Sequence, residues 1–205
     1  MLNWRCSNIY SIKNNAREEV IEKKSRFIGS AYQIKDKKEA EEIIANVKKE
    51  FWDARHNVYA YILPDNICKY SDDGEPQGTA GLPVFNVLAK KNLQNVLVIV
   101  TRYFGGILLG KGGLVRAYTE ATVKAVESAG IYEVIEYTDI EIICEYNIKD
   151  KLLFFLDKSG YDYISEYYEK VKCRIHLPSA DLSSFVDEVI KFTENRIFYN
   201  IVSNN

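Results

Sequence analysis

The chain has 205 residues, of which 47 % are hydrophobic, and a formal net charge of -2 at pH 7. This length fits one large domain or two small ones, and the hydrophobic content excludes a wholly disordered chain. The near-zero charge excludes the simplest polycationic mode of nucleic-acid binding. Because no apolar run approaches the ~18 residues of a membrane helix and residues 1–7 lack the apolar segment of a signal peptide, we expect a soluble cytoplasmic protein without a membrane partner.

The first part of the chain alternates between strand and helix patterns. Residues 17–34 predict two short strands separated by Ser25-Arg26. Residues 35–51 are charged and predict an amphipathic helix, because apolar side chains recur at helical spacing along one face. The patterns that follow predict, in chain order, an aromatic-rich strand over 57–63, a helix over 79–91, a buried strand over 96–101 and a helix over 114–129 that Gly130 ends.

From about residue 138 the order of the predicted elements changes. The patterns predict a strand, a helix, two strands, a helix and a strand, over residues 140–145, 150–158, 161–168, 170–177, 178–194 and 196–202. This βαββαβ order within about 65 residues is that of the ferredoxin-like fold. We therefore predict an α+β protein with two domains, residues 1–135 and 136–205. Their formal charges are +3 and -5, so we expect any anionic partner to bind the first domain.

The cysteines are spaced singly along the chain, as Cys6, Cys68, Cys144 and Cys173. No C-x-x-C pair or histidine at a ligand spacing accompanies them, so the sequence predicts reduced thiols rather than a zinc site. It predicts no cofactor.

An acidic motif runs from Ser71 to Pro83 and reads SDDGEPQGTAGLP. Its carboxylates, Asp72, Asp73 and Glu75, repel one another and need a cation, a basic side chain or backbone N–H groups to accept them. Carboxylate oxygens are ligands that Mg²⁺ and Ca²⁺ prefer, which makes these three side chains weak metal candidates, although the spacing is not that of an EF-hand. The alternative is a solvated turn in which Thr79 caps the next helix.

A glycine motif runs from Thr101 to Gly113 and lies between a predicted strand and a predicted helix. It matches most of a P-loop, but Gly112 stands where the Mg²⁺-binding Ser/Thr belongs, which counts against an NTPase. Such a loop before a helix favours an anion, and tight strand–helix packing is the alternative. The candidates for binding an anion or a nucleic acid are Arg55, Arg102, Gly105, Gly106, Gly110, Lys111, Gly112 and Arg116.

These two motifs, with Ser25-Arg26-Phe27 and Ala54-Arg55-His56, resemble the YigZ/IMPACT family over residues 18 to about 130. The rest of the chain resembles the C-terminal domain of the bacterial two-domain members. The resemblance implies a ribosomal protein S5 domain 2-like fold followed by a ferredoxin-like domain. It also implies a link to translational control, and nucleic-acid binding has been suggested for bacterial members. It supplies no catalytic residue.

Three hypotheses of function follow. The first is a translation-linked regulatory protein that binds RNA, the ribosome or a protein partner through its first domain. The second is an enzyme acting on a small phosphorylated or anionic substrate, metal-assisted or not, with His56, Asp73 and Glu75 as catalytic candidates. The third is an interaction module in which both motifs are structural and Asp72 and Glu75 are bound by Arg102 or Lys111.

Overall fold

The computed structural model of the chain describes residues 8–65 and 67–202. The chain divides into two compact units, one ending at Val134 and the other beginning at Ile135. Cys6 lies outside the described residues, and the other three cysteines are free thiols. Over the described ranges, no helix is both long enough and apolar enough to cross a bilayer.

The first unit is built around a five-stranded antiparallel sheet with the order β2-β3-β6-β4-β5. A short antiparallel pair, β1 with β7, stands beside it. The elements of this unit are β1 (Ile9–Ile12), β2 (Ala16–Glu22), β3 (Ser25–Gln33), α1 (Lys37–Glu50), β4 (His56–Ile62), β5 (Cys68–Ser71), α2 (Gly81–Lys90), β6 (Val96–Tyr103), α3 (Gly110–Ala129) and β7 (Ile131–Val134).

The central strand β6 explains the layers of this unit. Val98 and Val100 lie in a core with side chains of α2 and α3, whereas Leu97 and Ile99 lie in a second core with side chains of α1. Helices therefore cover both faces of the sheet, and a strand covered on both faces reads as a continuous apolar run. The run over 96–101 predicted this burial correctly.

The structure corrects several predicted boundaries. Ser25-Arg26 does not separate β2 from β3 but begins β3, and the turn consists of Lys23 and Lys24, both at positive φ. Helix α3 begins at Gly110, four residues earlier than predicted, so part of the glycine motif is helical. The four-residue strands β1, β5 and β7 were not predicted from the sequence.

The second unit is a four-stranded antiparallel sheet with the order β11-β8-β10-β9. One face of this sheet packs with the helices around a core that includes Ile142, Leu152 and Phe185. Burial raises the pKa of the Cys144 thiol in this core to about 11. The elements are β8 (Tyr137–Cys144), α4 (Tyr146–Ser159), β9 (Asp162–Tyr167), β10 (Val171–Pro178), a 3₁₀ turn (Ser179–Asp181), α5 (Leu182–Phe192) and β11 (Ile197–Val202).

The predicted α+β class is confirmed. The second unit has the βαββαβ order of the ferredoxin-like fold. The first unit, a mixed sheet-and-helix domain with its helices on both faces, is consistent with the ribosomal protein S5 domain 2-like fold.

Candidate functional site

Both sequence motifs of the first unit lie at the same end of the five-stranded sheet. Strand β6 ends there at Tyr103, which pairs with Arg26 near the start of β3, and the preceding Arg102 pairs with His56 at the start of β4. We call this the motif end. It comprises the β2–β3 turn and the connections that enter β4, leave β5 and leave β6, which are residues 23–24, 51–55, 72–80 and 104–109.

A buried ion pair lies at the centre of the motif end. Arg102 Nη1 donates to Glu75 Oε1 at 2.5 Å, and the Tyr118 hydroxyl of α3 donates to the same oxygen at 2.8 Å. The side chains of Glu75 and Arg102 are only 3 % and 7 % exposed. Burial, followed by the nearby Glu75 carboxylate, raises the pKa of Tyr118 far above its usual range. This cluster therefore joins the acidic motif to β6 and α3.

His56 lies next to this ion pair without forming a hydrogen bond to it. Its Nδ1 is 2.8 Å from the Asp73 carbonyl oxygen, which can only accept, so Nδ1 carries a proton. Its Nε2 is 3.8 Å from Glu75 Oε1, beyond hydrogen-bonding distance. His56 is thus oriented by the backbone of the acidic motif.

The other two carboxylates of the motif bind different partners. Asp73 accepts from the Asn57 backbone N–H at 2.7 Å and from Lys48 Nζ of α1 at 2.6 Å. Asp72 accepts from the backbone N–H groups of Gly78, Ala80 and Gly81 at 2.8–3.0 Å, where α2 begins. Asp72 therefore satisfies the first N–H group of α2, that of Gly81, and two N–H groups just before the helix.

These contacts correct two expectations. The solvated-turn alternative made Thr79 the cap of α2, but the Thr79 hydroxyl donates to the Pro76 carbonyl oxygen, and the Gly81 N–H that begins α2 donates to Asp72 instead. The third hypothesis placed both Asp72 and Glu75 in ion pairs, and only Glu75 has one, with Arg102. Since the three carboxylates turn to three separate partners, they form no metal-binding group within residues 8–65 and 67–202.

The glycines of the glycine motif occupy positions with different structural requirements. A Cβ on Gly105 would overlap the backbone of Lys24 and Ser25, so this glycine permits close packing against the β2–β3 turn. Gly106 and Gly110 have positive φ values and open space around them. Gly112 lies in the first turn of α3, also with open space and without a positive φ. Tight packing therefore explains Gly105, although against the β2–β3 turn rather than between a strand and a helix as the alternative expected, and it does not explain Gly112.

The basic candidates separate into one buried residue and three exposed ones. Arg102 is committed to Glu75 and lies near the rings of Phe27 and Phe104, so it is not placed to bind an anion from solvent. Arg55, Lys111 and Arg116 are exposed, and no ion pair involves them among the described residues.

Sequence reasoning overlooked four further residues of the motif end. Lys23 and Lys24 are exposed in the β2–β3 turn, again with no ion pair in the described part of the chain. Trp52 is 82 % exposed in the connection to β4, and Phe104 is 45 % exposed after β6. The Lys23-Lys24 pair beside the Ser25-Arg26-Phe27 motif was a sequence signal, but only strand pairing shows that it adjoins the glycine motif.

Comparison with known proteins identifies the family of the chain. The model of the Impact N-terminal domain matches residues 23–126, which include the whole motif end. The chain belongs to the IMPACT family. Its family relatives include YigZ of Escherichia coli, 33 % identical over 180 residues that cover 85 % of this chain and 88 % of that protein. YvyE of Bacillus subtilis is 43 % identical over 126 residues, which cover 60 % of this chain and 58 % of that protein.

A solved structure extends this likeness over the whole chain. A crystal structure described as that of a hypothetical protein is 28 % identical, with a TM-score of 0.62, and the match covers 98 % of this chain and all of that one. This match includes both units, whereas the Impact N-terminal domain matches residues of the first unit.

Proposed function

We propose that this IMPACT family member is a translation-linked regulatory protein that binds RNA through the motif end of its first unit. The observation that carries the proposal is that five exposed cations, none ion-paired among the described residues, and two exposed aromatic rings lie at this end or in the helix α3 that follows it. The cations are Lys23, Lys24, Arg55, Lys111 and Arg116. The link to translation rests on the family resemblance.

Each kind of exposed residue has a part in this proposal. The cations contact phosphates, which provides affinity without sequence preference. Trp52 and Phe104 offer rings on which unpaired bases stack. Gly106, Gly110 and Gly112, which have open space where a Cβ would stand, let the backbone approach the ligand closely. Cations combined with exposed aromatic rings favour single-stranded RNA over a duplex.

The motif end supports a reaction less well than it supports binding. A general acid or base must be free to reach a substrate, but Glu75 is buried against Arg102 and Tyr118, and Asp73 is bound by Lys48 and the Asn57 N–H. His56 and Asp73 are adjacent, as the enzyme hypothesis requires, through the Asp73 carbonyl group rather than its carboxylate. We therefore propose no catalytic residue.

The test is equilibrium binding of a fluorescent, mixed-sequence single-stranded RNA at low salt, measured by anisotropy. The double variant Lys111→Ala/Arg116→Ala should lose on the order of tenfold or more in affinity, because two phosphate contacts are removed. The matched control is Lys191→Ala/Arg196→Ala, which removes one lysine and one arginine from exposed positions of the second unit and should bind as the parent does.

Three results would overturn the proposal. One is the absence of RNA binding at low salt. A second is an equal loss of affinity in the two double variants, which would show only a dependence on net charge. The third is capture of a protein, with no RNA bound, through the same basic residues, which would favour the protein-partner form of the first hypothesis.

A further inference from the structure

Strand β11 forms one edge of the four-stranded sheet in the second unit and has the sequence IFYNIV. Within the described residues, β8 is its only hydrogen-bonded neighbour. Three of its side chains are exposed although they are large and apolar or aromatic, Phe198 by 72 %, Ile201 by 56 % and Tyr199 by 40 %. The strand thus presents an uncharged, β-favouring sequence without proline or glycine at an open edge.

The opposite edge of the same sheet provides a comparison. Strand β9 has the sequence DYISEY, and its exposed Asp162 and Glu166 bring two charges to that edge. Soluble proteins protect sheet edges against pairing with another chain by charges, prolines or bulges. The β9 edge of this sheet has such charges, whereas the six residues of β11 include neither a charge nor a proline.

The acidic side chains of β8 beside β11 do not oppose an uncharged partner strand. Asn200 and Val202 are paired with Glu141 and Asp139 of β8, which could make this face negative. However, Glu141 Oε2 is 2.7 Å from Lys172 Nζ, and Asp139 Oδ1 is 2.7 Å from His176 Nδ1. The acidic residues next to β11 are therefore paired with β10, despite the charge of -5 on residues 136–205.

We propose that β11 pairs antiparallel with β11 of a second copy of this chain, joining two four-stranded sheets across a two-fold axis. In such a pairing every opposed position comes from the same uncharged strand, so the edge is complementary to itself. Nothing on β11 offers the charge that would select a different chain. Because a six-residue strand pair is smaller than a standard interface, the dimer is concentration-dependent.

The test is sedimentation velocity of the full chain over a wide concentration range. The parent should shift from monomer towards dimer as its concentration rises, and Ile201→Lys should remain monomeric because it places a charge on each of two facing edges. The matched control is Ile164→Lys, which changes an exposed isoleucine of the protected edge strand β9. It should dimerise as the parent does.

Hydrogen exchange provides a second measurement that does not depend on a variant. The β11 amides should become more protected as the parent concentration rises, while β9 amides remain unchanged. A parent that is monomeric throughout, a dimer that persists in Ile201→Lys, or equal loss of the dimer in both variants would overturn the proposal. Protection of β11 only when a different protein is added would overturn it as well.

Discussion

In the acidic motif, all three carboxylates are bound by groups of the same unit: Asp72 by the start of α2, Asp73 by Lys48 and Asn57, and Glu75 by Arg102. In the glycine motif, most side chains after Tyr103 are exposed. In the sequence, both motifs are dense in residue types that bind ligands or take part in catalysis. The difference shows that the density of such residues does not reveal whether their partner lies inside the protein or outside it.

The largest effect is expected at the centre of the acidic motif. Glu75→Gln should lower the free energy of unfolding of the first unit by about 3–5 kcal/mol, because it leaves the Arg102 guanidinium buried without a counter-charge. Urea denaturation followed by circular dichroism measures this. The double variant Glu75→Leu/Arg102→Met should recover part of the loss. A cost below about 1 kcal/mol, typical of an exposed pair, would contradict the conclusion that the acidic motif stabilises the first unit through its internal contacts.

Substitutions at two glycines of the glycine motif should have opposite effects on stability. Gly105→Ala should cost about 1–3 kcal/mol, because the new Cβ meets the backbone of Lys24 and Ser25, which cannot move aside. Gly112→Ala should instead raise stability by about 0.5–1 kcal/mol, since alanine is favoured in a helix and the space is open. Thermal unfolding of both variants checks this, and the same sign for both would refute this expectation.

Removal of the helix cap should have a smaller effect. Asp72→Ala should cost about 1 kcal/mol, because the first N–H group of α2 and two N–H groups just before it lose their acceptor. Asp72→Asn keeps an oxygen acceptor and should recover most of the loss. If both variants were destabilised equally, the negative charge rather than the cap would matter.

The smallest effect is expected at an exposed ion pair, which serves as the reference for Glu75. Hydrogen bonds from Arg17 lower the pKa of Glu50. The contribution of this ion pair to the free energy of unfolding is therefore present above the unfolded-state pKa of Glu50 and disappears as the pH falls through the lower, folded-state pKa. Glu50→Gln should cost less than about 1 kcal/mol at neutral pH. Measuring the free energy of unfolding of parent and variant as a function of pH checks the direction of this pH dependence. A larger loss of stability at neutral pH in Glu50→Gln than in Glu75→Gln would contradict the comparison of exposed and buried ion pairs.

Features with a local cause were predicted well from the sequence. The strand β6 and the helix α1 follow from apolar spacing, and the ferredoxin-like order follows from the succession of such patterns. The start of α3 was misplaced because glycine is a poor helix former, so Gly110 and Gly112 concealed the first turn. The strands β1, β5 and β7 are only four residues long, which is too short for a periodic signal.

The distant contacts of the site were predicted only in part. The third hypothesis named Arg102, 27 residues away, as a partner of Glu75, but it also expected an ion pair for Asp72, and nothing in the sequence pointed to Tyr118, 43 residues from Glu75. Likewise, Lys24 adjoins Gly105 because of the pairing of β3 with β6. Such contacts depend on strand order, which propensity and spacing do not determine.

The central claim, that the outward-facing cations at and next to the motif end bind RNA phosphates, is tested most directly by the salt dependence of RNA affinity. The logarithm of the binding constant should fall linearly with the logarithm of salt concentration, and Lys111→Ala/Arg116→Ala should reduce that slope by about 1.4, roughly 0.7 for each lost phosphate contact on a single strand. Lys191→Ala/Arg196→Ala should leave the slope unchanged. An unchanged slope in the Lys111/Arg116 variant would contradict the account.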